Sequence, residues 1–375
     1  MDALRGLAVV GILAVHVPHD APGGWRQNPW FFPSFGMDFG HIGVPLFVMI
    51  SGFCIHLATA KHRRNSGDWH VRWCEFWTRR IYRLYPPYIA AIVFSLCMAA
   101  TSHDRYSMVE DFSLKDLFAH LLLIHNLTDN YSLGLGNGVF WSLGMEEQLY
   151  GLYFLLLVAL RTFNYPTAVV LPLLASLLWR LYSPGFTDNS DAFAFWPFSY
   201  WAFWILGAIA ADHFIENIKL PEWCTSIQWS IFCLTCGICL SSHTVDQITR
   251  ARITSDVRIE WLKLNSSGLS ALSELGFCFG FFFLLNFLIK REQTEQTQLC
   301  FFGLPTMGRL SYSIYLTHFP VMHSLEYLLP IYPTTLGWLL RIVSYTGISL
   351  IVGVVFYCTV ERHFLSKAAA GKSVI

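Results

Sequence analysis

The sequence predicts an all-α fold, a polytopic helical bundle that spans a membrane. Hydrophobic residues make up 54% of the 375 positions and charged residues only 13%, whereas an average soluble domain has roughly 25% charged residues. Aromatic residues reach 16%. Apolar runs of about 20 residues, which is the length that a helix needs to cross the hydrocarbon core, recur along the chain.

About ten apolar runs fit this length. They lie near residues 3–18, 39–60, 84–101, 139–160, 166–182, 196–212, 227–242, 268–289, 308–329 and 336–358. A shorter run at 117–127 is too short to cross and is expected to be re-entrant or interfacial. Because every loop is short, we expect a single membrane domain over residues 1–375, with no appended soluble domain. The first run lacks a small-residue cleavage site, so we interpret it as a span rather than as a signal peptide.

Loop charges predict the orientation. The segment 61–83 holds seven lysines and arginines, and such segments face the cytoplasm. With ten spans both termini are then cytoplasmic, as expected for a multi-pass protein of the plasma (inner) membrane. The loop 183–195 has no basic residue and is predicted to lie outside. The loop 243–267 carries four basic residues, although ten spans place it outside as well. If the run at 117–127 were a full span, the orientation of every later segment would be inverted.

Two compositional features exclude other classes of partner. Lysine plus arginine and aspartate plus glutamate both number 25, and a balanced charge argues against a nucleic-acid partner. Cys233, Cys236 and Cys239 have a CxxCxxC spacing, and His243 follows. The spacing raises the question of a metal, but these cysteines lie in an apolar run where Cys packs as a small hydrophobe. We therefore expect no metal site.

The first span contains two residues that are costly in a membrane, Arg5 and His16. They are eleven residues apart, which places them within roughly 20° on one helix face and about 16 Å apart along the axis. An interfacial anchor at each end is the simpler interpretation. A shared face also fits a polar path along the helix.

Three further groups carry polar side chains at span entrances. Arg80 and Arg83 are neighbours on a helix entering the third span, and guanidinium groups grip phosphate with two hydrogen bonds. Ordinary positive-inside bias explains them equally well. Glu146 and Glu147 begin the fourth span, and an embedded carboxylate is a functional candidate whose natural partner is a histidine. His318 lies nine residues beyond Arg309, near mid-depth, where a structural role is the competing interpretation.

These groups, in this order, resemble the acyltransferase-3 family of membrane-bound O-acyltransferases. The matching stretches are DALRG with His16 at the start, VPLFVMISGFCI (44–55), the Arg80–Arg83 pair, WSLGMEEQLY (141–150), LSYSIYLTHFP (310–320) and TVERHF (359–364). The resemblance covers nearly the whole chain. Ala3 stands where the family usually has glycine and Pro45 where an acidic residue is common. Many relatives also have an extracytoplasmic hydrolase-like domain that we do not find in this sequence.

The resemblance implies transfer of an acyl group, most often acetyl, from cytosolic acyl-CoA to a hydroxyl of an extracytoplasmic or membrane-associated glycan. Arg5, Arg80 and Arg83 are then expected to hold the phosphates of acyl-CoA, which is a substrate rather than a bound cofactor. His16 is expected to act as general base or as acyl acceptor, with His318 in support. Glu146, or alternatively Glu147, is expected to orient the imidazole and stabilise its charged form.

Two other classes of function compete with an acyltransferase as explanations of these residues. A proton-coupled transporter or flippase for a small molecule or a lipid-linked sugar also places Arg, His and Glu in the membrane. The sequence has no visible inverted repeat, and its motifs follow the order of an acyltransferase. A non-catalytic scaffold leaves these polar residues unexplained. We expect acyl-CoA, a carbohydrate or lipid-linked glycan and membrane lipids as partners.

Overall fold

The computed structural model describes residues 1–17, 37, 39–101, 113–128, 130–131, 133–182, 194–241, 266–295, 303–328 and 334–365. Within these ranges every regular element is helical, which confirms the predicted all-α class. The helices are α1 (Asp2–His16), α2 (Gly43–Ser66), α3 (Trp73–Thr101), α4 (Leu114–Leu121), α5 (Trp141–Thr162), α6 (Tyr165–Tyr182), α7 (Pro197–Phe214), α8 (Ile227–Leu240), α9 (Ser266–Glu295), α10 (Leu304–Arg309), α11 (Ser311–Leu328) and α12 (Thr335–Phe356). Short 3₁₀ turns occupy Phe39–Ile42, His125–Leu127 and Glu222–Thr225, and a π-helical turn occupies Tyr357–Glu361.

Five described stretches are long and apolar enough to cross a membrane: Phe39–Ser66, Trp73–Ala100, Trp141–Thr162, Gly268–Gln293 and Leu336–Leu365. Each overlaps a predicted span, so the chain has the helices of a membrane protein. Tyr165–Leu181 and Ile227–Leu240 are apolar but shorter. The count of about ten spans is thus supported for five, and the others stay predictions.

The helix boundaries differ from the predicted spans in two places. Helix α3 begins at Trp73, eleven residues before the predicted span at 84–101, because the basic stretch that precedes this span is itself helical. There Glu75 pairs with Arg72 at 2.7 Å and with Arg79 at 3.9 Å, the spacing of helical neighbours. The span expected at 308–329 is broken at Leu310, where α10 ends and α11 begins.

The short run at 117–127 forms a short helix and a turn, and its re-entrant or interfacial placement stays a prediction. Helix α4 has eight residues and is capped by Ser113, whose Oγ accepts a hydrogen bond from the backbone N–H of Asp116. The 3₁₀ turn His125–Leu127 follows it. Most of the loops 183–195 and 243–267 lies outside the described residues, so their side of the membrane stays a prediction.

The described chain divides into two compact units. The first draws on residues 1–44, 71–144 and 301–375. In it α1 packs against α10, and α11 packs against α12, α3 and α1. The backbone of Leu304 closely approaches Gly6, and that of Asp2 closely approaches Gly308, so neither glycine has room for a Cβ atom. This close approach fixes α1 beside the segment that leads into α11.

The second unit draws on residues 45–70 and 145–300. Helix α9 packs against α8, α7 and α6. Gly237 on α8 and Gly276 on α9 bring the two backbones together. Nearly all of α7 is buried, which agrees with its mostly apolar sequence. The prediction of one domain over residues 1–375 is not tested by this division and stays a prediction.

Candidate active site

His16 lies at the carboxyl end of α1, in the first unit, and contacts His318 of α11. The Nε2 atom of His318 is 3.3 Å from Nδ1 of His16, and the two rings meet edge to face with centroids 5.0 Å apart. His16 is partly exposed, whereas His318 is completely buried. The close packing of α1 against α10, which directly precedes α11, allows this contact.

Backbone carbonyls define which ring nitrogens carry protons when both rings are neutral. The Nδ1–H of His318 donates to the carbonyl of Tyr315 at 2.8 Å, which leaves Nε2 as an acceptor. The Nδ1–H of His16 donates to the carbonyl of Ile12 at 2.8 Å. His16 Nδ1 also lies 3.3 Å from His318 Nε2, the free acceptor of the second ring. This tautomer, assigned from the hydrogen-bond partners, places the lone pair of His16 on Nε2. A general base or a nucleophile needs that lone pair.

Arg5 lies near the amino end of the same helix. Its NH1 atom donates to Asp2 Oδ1 at 2.9 Å across one turn, and both side chains are partly exposed. Because α1 is helical from Asp2 to His16, the predicted common face and the axial separation of about 16 Å apply to Arg5 and His16.

The predicted pair Arg80 and Arg83 lies on α3, also in the first unit. Arg80 packs its guanidinium over the ring of Phe76 at 3.5 Å and donates to the Phe76 carbonyl at 3.1 Å. Arg83 is exposed and close enough to Glu361 to interact electrostatically with it. The two arginines therefore differ, since Arg80 is anchored on its own helix whereas Arg83 is exposed and interacts with a carboxylate.

Glu361 is a buried carboxylate that the sequence analysis missed. It is 2% exposed and accepts a hydrogen bond from Ser313 Oγ on α11. It ends the π-helical turn Tyr357–Glu361, and such turns are frequent at functional sites. A glutamate directly after the long apolar run of α12, within the TVERHF stretch, is the signal that could have identified it.

The predicted carboxylates Glu146 and Glu147 lie on α5, in the part of the helix that belongs to the second unit. Oε1 of Glu146 accepts hydrogen bonds from Ser51 Oγ at 2.7 Å and from Tyr150 OH at 2.5 Å. Ser51 belongs to the VPLFVMISGFCI stretch, so two of the motif stretches meet at this carboxylate. Glu147 is partly buried. The role of either glutamate as partner of His16 stays a prediction.

A second polar network in the second unit was also missed. His56 Nε2 lies 3.0 Å from Asp212 Oδ2, and His56 Nδ1 lies 3.0 Å from Tyr153 OH. Tyr165 and Asn217 each donate to Asp212 at 2.9 Å. Both members of the His56–Asp212 pair are 1% exposed or less. These hydrogen bonds join α2, α5, α6 and α7 of the second unit around one buried carboxylate.

The packing role expected for the cysteines of the CxxCxxC spacing stays a prediction. Cys233, Cys236 and Cys239 lie on α8, which contacts α9 closely at Gly237. His243 lies outside the described residues. Across the described ranges, no three His, Cys, Asp or Glu side chains are grouped as metal ligands.

Comparison with known proteins supplies the family. Over residues 1–358 the chain matches the acyltransferase-3 family, described as "Acyltransferase domain". It is 28% identical over 210 residues to the peptidoglycan O-acetyltransferase OatA of Listeria monocytogenes, a match that covers 52% of this chain and 30% of that protein. It is 27% identical over 199 residues to the putative peptidoglycan O-acetyltransferase YrhL of Bacillus subtilis, covering 49% and 28%. It is 27% identical over 163 residues to the O-acetyltransferase OatA of Staphylococcus aureus, covering 41% and 23%.

These matches span less than a third of each relative's own length. No solved structure matches the chain significantly. The family match, in contrast, covers nearly all of the sequence, including the stretches that contain His16, Arg83 and His318. The chain belongs to the acyltransferase-3 family.

Proposed function

We propose that the protein is a membrane-bound O-acyltransferase and that the acyl group it transfers is acetyl. The donor is cytosolic acyl-CoA, and the acceptor is a hydroxyl of an extracytoplasmic or membrane-associated glycan. Family membership supports acyl transfer. The relatives are named as peptidoglycan O-acetyltransferases, which supports a cell-wall glycan as the acceptor. The single observation that carries the proposal is the contact between His318 and His16, on the helix that also bears Arg5.

The geometry of His16 supports an acid–base step. With Nδ1–H held by the Ile12 carbonyl, Nε2 accepts the proton of the acceptor hydroxyl. The hydroxyl oxygen then attacks the thioester carbonyl, the new C–O bond forms, and the C–S bond breaks as CoA leaves as thiolate. The imidazolium returns its proton to that thiolate. In the alternative route Nε2 itself takes the acyl group and passes it to the hydroxyl in a second step.

His318 supports the same step through Nδ1 of His16, the ring nitrogen that does not react. A positive charge on His16 needs an acceptor for the Nδ1–H, and His318 Nε2 and the Ile12 carbonyl both serve. Because His318 is buried and neutral in this tautomer, it does not compete for the hydroxyl proton. We propose Glu146 as the carboxylate that stabilises the imidazolium, with Glu147 as the alternative.

The arginines of the first unit are proposed to hold the donor. Exposed Arg83, with Arg80 beside it and Arg5 on α1, offers guanidinium groups for the phosphates of CoA. The pantetheine arm is long enough to span the axial distance of about 16 Å from the level of Arg5 to that of His16. The phosphates are then bound at one end of the helix while the thioester reacts at the other.

The orientation belongs to this proposal. The basic segment 61–83 faces the cytoplasm, both termini are cytoplasmic, and about ten segments cross the plasma membrane. The donor then enters from the cytoplasm, and His16 lies toward the side of the acceptor. Membrane lipids surround the long apolar helices.

Mass spectrometry of cell-envelope glycans tests the proposal. Cells that produce the protein should show a mass increment on one glycan, and cells without the protein or with a His16→Ala variant should lack it. The increment identifies the acyl group and the carrier identifies the acceptor. Purified protein should also release free CoA from acyl-CoA when acceptor is present. A transporter would release no CoA, and that result would refute the proposal.

A further inference from the structure

A buried cluster of three polar side chains lies on α4 and the turn that follows it, in the first unit. Asp116 is 4% exposed, and His120 and His125 are completely buried. Asp116 Oδ1 lies 2.8 Å from His120 Nδ1, and the rings of His120 and His125 stack with centroids 3.9 Å apart. We call Asp116, His120 and His125 the His120 cluster.

The cluster is costly to maintain. His120 Nε2 has no hydrogen-bond partner among the described residues, and a buried polar atom without a partner is unfavourable. Leu123, between the two histidines, has a positive φ of 55°, and Leu135 has the same value. Bulky residues such as leucine are strained at a positive φ, and such strain persists only where the surrounding structure imposes it. Burial and strain together indicate that this part of the fold serves a purpose beyond packing.

The His120 cluster packs against one neighbouring stretch, residues 134–142. A Cβ atom at Gly134 would lie 2.5 Å from Asp116 Oδ2, so the carboxylate lies directly against this backbone. The ring of Phe140 meets that of His120 edge to face, with centroids 6.2 Å apart. The Phe140 carbonyl also interacts with the His125 ring. All three members of the cluster thus contact the 134–142 stretch.

The 134–142 stretch is also hydrogen-bonded to α11, the helix that carries His318. Asn137 Nδ2 donates to the Leu316 carbonyl at 2.9 Å, and Tyr315 OH donates to the Val139 carbonyl at 2.9 Å. Ser142 Oγ lies 2.6 Å from the same Tyr315 hydroxyl. The carbonyl of Tyr315 in turn accepts the Nδ1–H of His318.

We propose that Asp116, His120 and His125 are positioning residues for His318, and through His318 for His16, and that they act through the 134–142 stretch. The histidine contact of 3.3 Å depends on the placement of α11, and the cluster fixes the stretch to which α11 is bonded. The catalytic consequence rests on the proposed function. The structural consequence, a protected and correctly placed His318, does not.

Two conservative variants test this role, Asp116→Asn and His120→Gln. Both keep a polar side chain of similar size and remove the ionisable pair. The first measurement needs no activity: diethyl pyrocarbonate modifies accessible imidazoles, and peptide mass spectrometry locates the modified residue. His318 should be protected in the parent and modified several-fold faster in both variants. Thr334→Ala is the control, since Thr334 is exposed and its side chain caps α12 through the N–H of Gly337, a hydrogen bond that involves neither His318 nor the His120 cluster.

The second measurement separates positioning from a loss of folded protein. In both variants kcat should fall by about tenfold to a hundredfold, the size of effect that a small misplacement of reacting groups produces, while the KM for acyl-CoA stays near the parental value. Tyr315→Phe breaks the bond to Val139, so its effect on kcat should not add to that of His120→Gln.

Unchanged protection of His318 in both variants would overturn the positioning role whatever the activity, as would fully additive effects on kcat. A different result separates the two proposals. If the parent protein transfers no acyl group but His318 still becomes accessible in the two variants, the proposed function is refuted and the positioning role stands.

Discussion

His318 Nε2 lies 3.3 Å from His16 Nδ1, so a buried histidine late in the chain supports a partly exposed histidine in the first helix. The arrangement resembles a general base held by a second residue, with a histidine in the place that a carboxylate often takes. It gives His16 a defined tautomer, with its lone pair on Nε2. The two residues should therefore act as one unit.

A double substitution tests this unit. His318→Ala should lower kcat by about tenfold to a hundredfold, less than His16→Ala, because it removes support for the base and not the base itself. The His16→Ala/His318→Ala protein should be no slower than His16→Ala alone, since residues that act as a unit are strongly non-additive. Free CoA release reports both rates. Effects that multiply in the double variant would show that the histidines act independently.

Arg83 should govern donor binding. Arg83→Ala should raise the KM for acyl-CoA by about tenfold to a hundredfold, which corresponds to the loss of a charge-assisted phosphate contact worth about 1.5–3 kcal/mol. Arg83→Lys should recover only part of the loss, because an ammonium group lacks the planar fork. Arg79→Ala, one turn earlier and beside Glu75, is the matched control. Parental KM values for both Arg83 variants would make this residue a topological anchor only.

The orientation of the basic segment can be tested with single cysteines. Ser66 ends α2 and is exposed, and the native Cys74 in the same segment is exposed as well. In a background without the other cysteines, Cys74 and the thiol of Ser66→Cys should resist an impermeant maleimide in intact cells and react once the membrane is permeabilised. Labelling of either thiol in intact cells would place the segment outside and invert the proposed entry of the donor.

The His56–Asp212 pair should contribute to stability rather than to chemistry. Asp212→Ala removes a buried carboxylate that takes part in three hydrogen bonds and should lower the free energy of unfolding by about 3–5 kcal/mol. The control is Glu216→Gln, which breaks an exposed ion pair with Arg64 and should cost about 1 kcal/mol or less. Thermal unfolding in detergent compares the two variants. Equal Tm values for Asp212→Ala and the parent would show that the His56–Asp212 pair does not contribute to stability.

Apolar length predicted the helices well, because crossing a membrane imposes a length that can be read from composition. It could not predict that α3 begins at Trp73, since a charged amphipathic turn continues the helix beyond the apolar run. It also missed the break at Leu310, because hydropathy averaged over a run does not register a single residue that leaves helical geometry between α10 and α11.

The candidate site was predictable in its residue types and not in its contacts. Arg5 and His16 share one helix, so the period of the helix relates them. His16 and His318 are 302 residues apart, and no local pattern connects them. The His56–Asp212 pair was missed for the same reason, since its members come from distant helices. Glu361 was missed although its position directly after an apolar run is a sequence signal.

The rate of CoA release by His16→Ala tests the central claim most directly. The variant should insert and fold, because α1 stays apolar and helical, and it should still bind acyl-CoA through arginines about 16 Å away. With acceptor present, its CoA release should fall by a factor of about 10²–10⁴, the usual contribution of a positioned acid–base group. His323→Ala, which replaces a histidine that pairs with Glu326 on α11, should stay near the parental rate. A His16→Ala protein that turns over like the parent, at matched expression and Tm, would contradict the account.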